Sequence, residues 1–239
     1  MSSDARQLAV DDVELTYEVR ESDKATQPRI DVGIHGVTVV LPPNSGEDPE
    51  ALIEENLQWI LEKKQTYDKY REAAPERRFK EGELFPYLGE EYELVVEQRS
   101  ASQLEDDAIR LAKHHVKQTS IKRALEKFYR RKAREMIEDA VKRYADEMGV
   151  EYDKLEIRNQ RTKWGSCSSY GTLGINWRLI MAPGEIIEYV VIHELAHLKE
   201  PNHTKEFWNL VREFDPEYAE HADWLDEHSA RLIFTQDDL

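Results

Sequence analysis

The chain has 239 residues, 34% of them charged and 40% hydrophobic, with 10 glycines and 9 prolines, which excludes collagen-like, low-complexity and wholly disordered chains. That length supports one or two domains with a core of their own, and a single cysteine, Cys167, excludes an intramolecular disulfide framework. Asp and Glu outnumber Lys and Arg by 49 to 33, a formal charge of −16 that repels free nucleic acid and anionic membrane and suits high intracellular salt.

No apolar run is long enough to cross a bilayer, and Met1–Arg6 is not a charged region leading into an apolar one. The expectation is a cytoplasmic protein with no membrane partner. Residues 1–12 and 235–239 are polar and read as loose ends. Val13, Leu15, Tyr17 and Val19 alternate with Glu14, Thr16, Glu18 and Arg20, which predicts a half-buried strand. Ile30 and Val32, then Val37, Val39 and Leu41, predict two more strands joined between Gly33 and Gly36, in a small antiparallel β-rich module. Leu52, Ile53, Leu57, Ile60 and Leu61 keep helical spacing from about Pro49 to Tyr70.

Residues 71–83 are charged and aperiodic, the best place for a linker. The expected division is an N-terminal module at 1–78 and a second domain at 79–239, with one compact unit as the alternative. Phe85, Tyr87 and Leu88, then Tyr92, Leu94 and Val95, predict a hairpin across Gly89, followed by a loop over 96–107 and a short strand at 108–111. Ile121, Leu125, Phe128, Tyr129, Met136, Ala140, Tyr144 and Met148 predict a helix of about 30 residues ended by Gly149. Its outer face at 122–134 is basic (Lys122, Arg123, Lys127, Arg130, Arg131, Lys132, Arg134); this reads as a solvated face, with a nucleic-acid partner the less favoured reading. Strands are expected from Leu155 and from Leu173, separated by a loop over 161–170 dense in small polar residues. A last helix is expected over Pro216–Phe234. No repeat period is visible.

The chemistry is concentrated in one segment. Ile186, Ile187, Val190, Val191 and Ile192 are apolar nearly all round, so the helix that follows Pro183 is buried. His193 and His197 stand at i and i+4, which stacks both imidazoles on one face, close enough to share a tetrahedral cation. Glu194 is about 100° round the helix, where it reaches a water on that ion rather than the ion itself. A catalytic metal needs a third protein ligand. Glu200-Pro201 breaks the helix, and His203 can fold back onto the ion, with Glu206 and Glu213 as the alternatives. Asn202 or Thr204 would cap a following helix over Lys205–Glu213. The spacing from His193 to His203 equals that of metzincins, but Glu200 stands in place of their Gly and no Met-turn follows.

The sequence resembles the YgjP-like metallopeptidase family, related to the SprT and WLM zinc peptidases. The resemblance is carried by Arg161, Trp164-Gly165-Ser166-Cys167-Ser168, Gly174-Ile175-Asn176, Leu179, His193-Glu194-Leu195-Ala196-His197, Asn202-His203-Thr204 and Phe207-Trp208. It runs from about residue 15 to 233 and is strongest over 155–210. It implies an α+β fold with a zincin-like catalytic region, one Zn²⁺ per chain on His193, His197 and His203, and Glu194 as the catalytic residue. The expected activity is zinc-dependent hydrolysis of a peptide or protein substrate. Two alternatives stand beside it: a metal-dependent nucleotide (pyro)phosphohydrolase using the Gly/Ser-rich loop at 165–171, and a non-catalytic zinc-containing binding module. Arg161 and Asn176 are weak candidates for stabilising an oxyanion. Cys167 reads as a small packed residue, Trp164, Trp177, Trp208 and Trp224 as core, and His114, His115, His221 and His228 as surface histidines.

Overall fold

In a computed structural model the described residues are 5–10, 13–22, 25, 27–33, 36–43, 45–73, 75–160 and 163–235. The fold is α+β, and the chain divides into two units, Met1–Ala74 and Pro75–Asp238.

The first unit contains β1 (Ala5–Val10), β2 (Val13–Glu21), β3 (Arg29–Gly33), β4 (Gly36–Leu41), α1 (Pro49–Glu55) and α2 (Leu57–Ala73). Leu15, Tyr17, Val37 and Val39 are buried together with Ile53 and Ile60 of the helices. Three expectations are corrected. Residues 5–10 are an edge strand, paired with β2 through Leu8 opposite Leu15, because Leu8 adds apolar surface to that face. The sheet order is β1-β2-β4-β3 and its central β2–β4 pairing is parallel, so the module is mixed rather than antiparallel. The expected single helix is two, because the Asn56 side chain donates to the Leu52 carbonyl (2.9 Å) and its backbone leaves helical geometry at φ −114°.

The second unit opens with β5 (Leu84–Tyr87), β6 (Glu90–Glu97), β7 (Gln103–Glu105) and β8 (Ala108–Ala112), in the order β5-β6-β8-β7. Leu88 (φ 50°) and Gly89 (φ 85°) form the two-residue hairpin turn expected at this site. The region read as a loop contains β7, turned onto β8 by Asp106 and Asp107, both at positive φ. The outer pairings are antiparallel and the central one parallel, the same order and directions as in the first unit, although no sequence period marks it.

After α3 (Lys113–Gln118) comes α4 (Ile121–Met148), capped by Ser120 and stopped by Gly149 at φ 61°, a left-handed position natural to glycine. Leu125, Phe128, Tyr129, Ala133, Ile137 and Val141 form its buried face. On its basic face Arg130 pairs with Glu126, Arg131 and Lys132 with Glu135, and Arg134 with Glu138.

A three-stranded sheet follows: β9 (Lys154–Arg158), β10 (Gly165–Cys167) and β11 (Thr172–Asn176), in the order β10-β11-β9. β10 lies inside the segment expected to be a loop. Three small residues carry no strand signal of their own, and antiparallel pairing to β11 makes them one. After a 3₁₀ turn at Trp177–Met181, α5 (Gly184–Ala196) packs among α4, β10, β11, α6 (Lys205–Phe214) and α7 (Tyr218–His228). The last helix is shorter than expected and gives way to a 3₁₀ turn at Ser229–Leu232. Of the expected core tryptophans, Trp177 is fully buried, whereas Trp164, Trp208 and Trp224 are half-buried.

Candidate metal centre

α5 is apolar over most of its surface: Ile186, Ile187, Val190, Val191, Ile192, Leu195 and Ala196 are all buried. It is fixed to α4 by the Tyr144 hydroxyl donating to Glu188 (2.6 Å) and by the Arg143–Glu188 ion pair (2.8 Å). Its last turn carries His193, and His197 is its C-terminal cap. The chain then tightens, with Glu200 N donating to the Ala196 carbonyl (2.9 Å), and turns at Pro201. Thr204 stops the turn: its hydroxyl accepts from Phe207 N (3.4 Å) and α6 begins.

That turn carries His203 back over α5. The Nε2 atoms of His203 and His193 are 3.0 Å apart, and the His203 ring is 4.7 Å from that of His197. One nitrogen of each of the three rings lies within 4.8 Å of the others, and among the described residues no other three His, Cys, Asp or Glu meet in this way. Nitrogens sharing a tetrahedral zinc at about 2.0–2.1 Å would stand roughly 3.3 Å apart. Glu206 and Glu213 are not in the group.

Tautomer and charge fit a metal as well. His197 Nδ1 lies 3.2 Å from the Glu200 carbonyl, which can only accept, so Nδ1 carries the proton and Nε2 keeps its lone pair. Burial, then repulsion from His197 and His203, holds His193 down to about 3, and burial lowers His197. Both are neutral donors at ordinary pH. His193 Nδ1 is buried with no hydrogen-bond partner among the described residues. Phe207 stacks on His197 at 4.6 Å and lies 5.0 Å from His193, so α6 walls the group on its apolar side.

Glu194 is 6% exposed, and burial raises its carboxyl to about 7 against the opposing pull of Lys163. Its place depends on Gly165: a Cβ there would stand 2.4 Å from Glu194 Oε1 and 2.6 Å from Cγ. Only a glycine lets β10 approach the carboxylate so closely.

These groups open onto a cavity of about 680 Å³ lined by Lys163, Gly165–Ser169, Glu194, the three histidines, Leu198 and Pro201. One wall is the free edge of β10. Asn176 N donates to the Trp164 carbonyl (2.8 Å) and Ser168 N to the Thr172 carbonyl (3.0 Å). By antiparallel alternation, the backbone groups of Gly165 and Cys167 therefore point away from β11.

Several residues differ from expectation. Asn176 is fully buried, and its amide nitrogen donates to the carbonyls of Gln160 (2.7 Å) and Lys163 (3.1 Å); it holds the approach to β10 rather than an oxyanion. Arg161 lies outside the described residues. Cys167 lines the cavity half-buried, its thiol pushed up by burial and then by Glu194. His221 is not a surface histidine: Nδ1 pairs with the buried Asp215 at 2.8 Å, which no sequence spacing announces. His228 donates to the Trp224 carbonyl and stacks on that indole at 4.6 Å. No helix of the described residues is long and apolar enough to cross a membrane.

The family model of the YgjP-like metallopeptidase domain matches residues 26–228. A curated relative, the UTP pyrophosphatase of Escherichia coli (strain K12), is 40% identical over 55 residues, 23% of this chain and 30% of that protein; the match thus spans under a third of the relative's length. The crystal structure of the metallopeptidase zymogen of Pyrococcus abyssi abylysin aligns at TM-score 0.35 and 29% identity, covering 37% of this chain and 90% of that one. The corresponding zymogen of Methanocaldococcus jannaschii jannalysin aligns at 0.35 and 26%, covering 38% and 94%.

Proposed function

The chain belongs to the YgjP-like metallopeptidase family, and on that footing we propose that it is a zinc-dependent peptidase in which His193, His197 and His203 hold one Zn²⁺ and Glu194 is the general base. The observation that carries the reading is the convergence of three imidazoles beside a buried carboxyl in one cavity. Bound zinc supplies Lewis acidity, which lowers the pKa of water and polarises a carbonyl.

The chain's own groups do the rest. The free edge of β10 offers backbone donors and acceptors to which an extended peptide adds as a further strand. Glu194, with a carboxyl near 7, accepts the proton of the attacking water. Water oxygen bonds to the scissile carbon, the carbon–nitrogen bond breaks, and the Glu194 proton passes to the leaving amine. Phe207, Leu198 and Pro201 keep the surroundings apolar.

The test pairs metal content with turnover. Wild type and Glu194→Gln should both carry one zinc per chain, while only the wild type releases amine from peptides. Equal turnover by the two proteins argues the reading down. A second reading, hydrolysis of nucleoside triphosphates to release pyrophosphate, is favoured by the name of the Escherichia coli relative. Pyrophosphate release without amine release would select it.

A further inference from the structure

We propose that Lys163 sets substrate specificity by receiving the carboxylate of an acidic residue that flanks the scissile bond. This deepens the peptidase reading and rests on it. The charge distribution is the first ground. The chain has 49 Asp and Glu residues, yet among the described residues the cavity wall has a single carboxylate, Glu194. It also has a single lysine or arginine, Lys163. A strongly acidic protein that spares one cleft of its own charge and sets one cation there is suited to an anionic ligand.

The second ground is that the site is built. The Lys163 carbonyl accepts from the fully buried Asn176 amide at 3.1 Å, and the same amide holds Gln160, so the backbone that carries the lysine is fixed. The ammonium makes no ion pair with any Asp or Glu among the described residues, whereas most cations of α4's basic face are paired. Lys163 thus attracts the Glu194 carboxylate without closing an ion pair on it, and stands on an anchored backbone two residues ahead of Gly165 at the start of the free strand edge. A peptide laid along that edge brings a side chain near the scissile bond to it. The neighbouring Ser166, Ser168 and Ser169 line the same wall and are small enough to leave the approach open. One cation matches one carboxylate, which commits the proposal to a singly charged side chain.

The experiment compares kcat/KM for three matched fluorogenic peptides carrying Glu, Gln or Lys on either side of the cleaved bond. The zinc-loaded enzymes are wild type, Lys163→Gln and Lys163→Glu. The wild type should favour the Glu peptide over the Gln peptide by about tenfold, mainly through KM, as expected for one charge-assisted contact. Lys163→Gln should bring that ratio close to one, and Lys163→Glu should invert it in favour of the Lys peptide, which a merely structural role would not do. Independently of any variant, the wild-type preference should shrink as salt rises from about 0.05 to 0.5 M. A Glu preference that is absent, or that survives both substitutions while cleavage continues, overturns the proposal and leaves the peptidase reading standing. Failure of the zinc-loaded wild type to cut any of the peptides overturns both, and pyrophosphate release from UTP by that preparation would mark phosphate as the anion instead.

Discussion

Gly165→Ala adds one methyl group and should uncouple metal binding from turnover. The new Cβ would lie 2.4 Å from Glu194 Oε1, 2.6 Å from Cγ and 2.7 Å from Cδ, against an ordinary contact of roughly 3.4 Å. The gap of about 1 Å must be opened by one partner. Strand β10 is pinned on both flanks by hydrogen bonds to β11, and α5 is buried over most of its length. The softest coordinate is the Glu194 side chain, so the carboxylate swings away. Misplacing a reacting group by about 1 Å costs on the order of 10²-fold in rate. The three atoms nearest the added methyl all belong to Glu194 and none to a histidine, so zinc should remain. The assay is steady-state peptide hydrolysis with zinc content and a thermal melt measured on the same preparation. The expected result is kcat down about 100-fold with one zinc per chain and a cooperative melt. A folded, zinc-loaded variant within twofold of wild-type kcat would refute the assignment of Glu194 as the base.

Other perturbations separate the roles further. In chelated protein, Glu194→Gln should stabilise the fold at pH 8 and leave it unchanged at pH 4: the carboxyl titrates near 7 when folded and near its ordinary 4.5 when unfolded, so the cost of ionising it appears as pH rises through that window and is full above it. The gain at pH 8 is about 3 kcal/mol by urea unfolding, and equal stability at both pH values would contradict the burial argument. His203→Ala should weaken zinc binding by more than the roughly 10–100-fold typical of losing a group that merely supports a ligand, measured by competition with a chromogenic chelator; an unchanged affinity would remove His203 from the site. Asn176→Ala leaves the Lys163 carbonyl without its donor and the Gln160 carbonyl with that of Arg178 alone, and should cost about 1–3 kcal/mol of stability while zinc stoichiometry stays at one. Loss of turnover without loss of stability would instead give Asn176 a direct part in the chemistry.

The residues that announced themselves were those whose local chemistry is strong. The i, i+4 histidines on an apolar helix, the break at Glu200-Pro201, the left-handed stop at Gly149 and the two-residue turn at Gly89 are each set by a few neighbouring residues. What stayed hidden depends on distant partners. β10 is Gly-Ser-Cys and becomes a strand only by pairing with β11, and β7 is three residues turned by two aspartates rather than a glycine. Among the described side chains of β1 only Leu8 is buried, too little for alternation to stand out. The requirement for glycine at 165 exists only because Glu194, 29 positions away, comes to rest against it. Likewise the amide of Asn176 is taken up by two loop carbonyls and His221 by Asp215, partners that no local spacing announces.

The most direct test of the central claim is the zinc K-edge X-ray absorption spectrum of the purified protein. The account predicts three imidazole nitrogens and one further light atom at about 2.0–2.1 Å, with the light-atom shell changing when an inhibitor replaces water. A sulfur scatterer near 2.3 Å, which would bring Cys167 into the shell, or a shell that no ligand perturbs, would mean a closed structural site and contradict it.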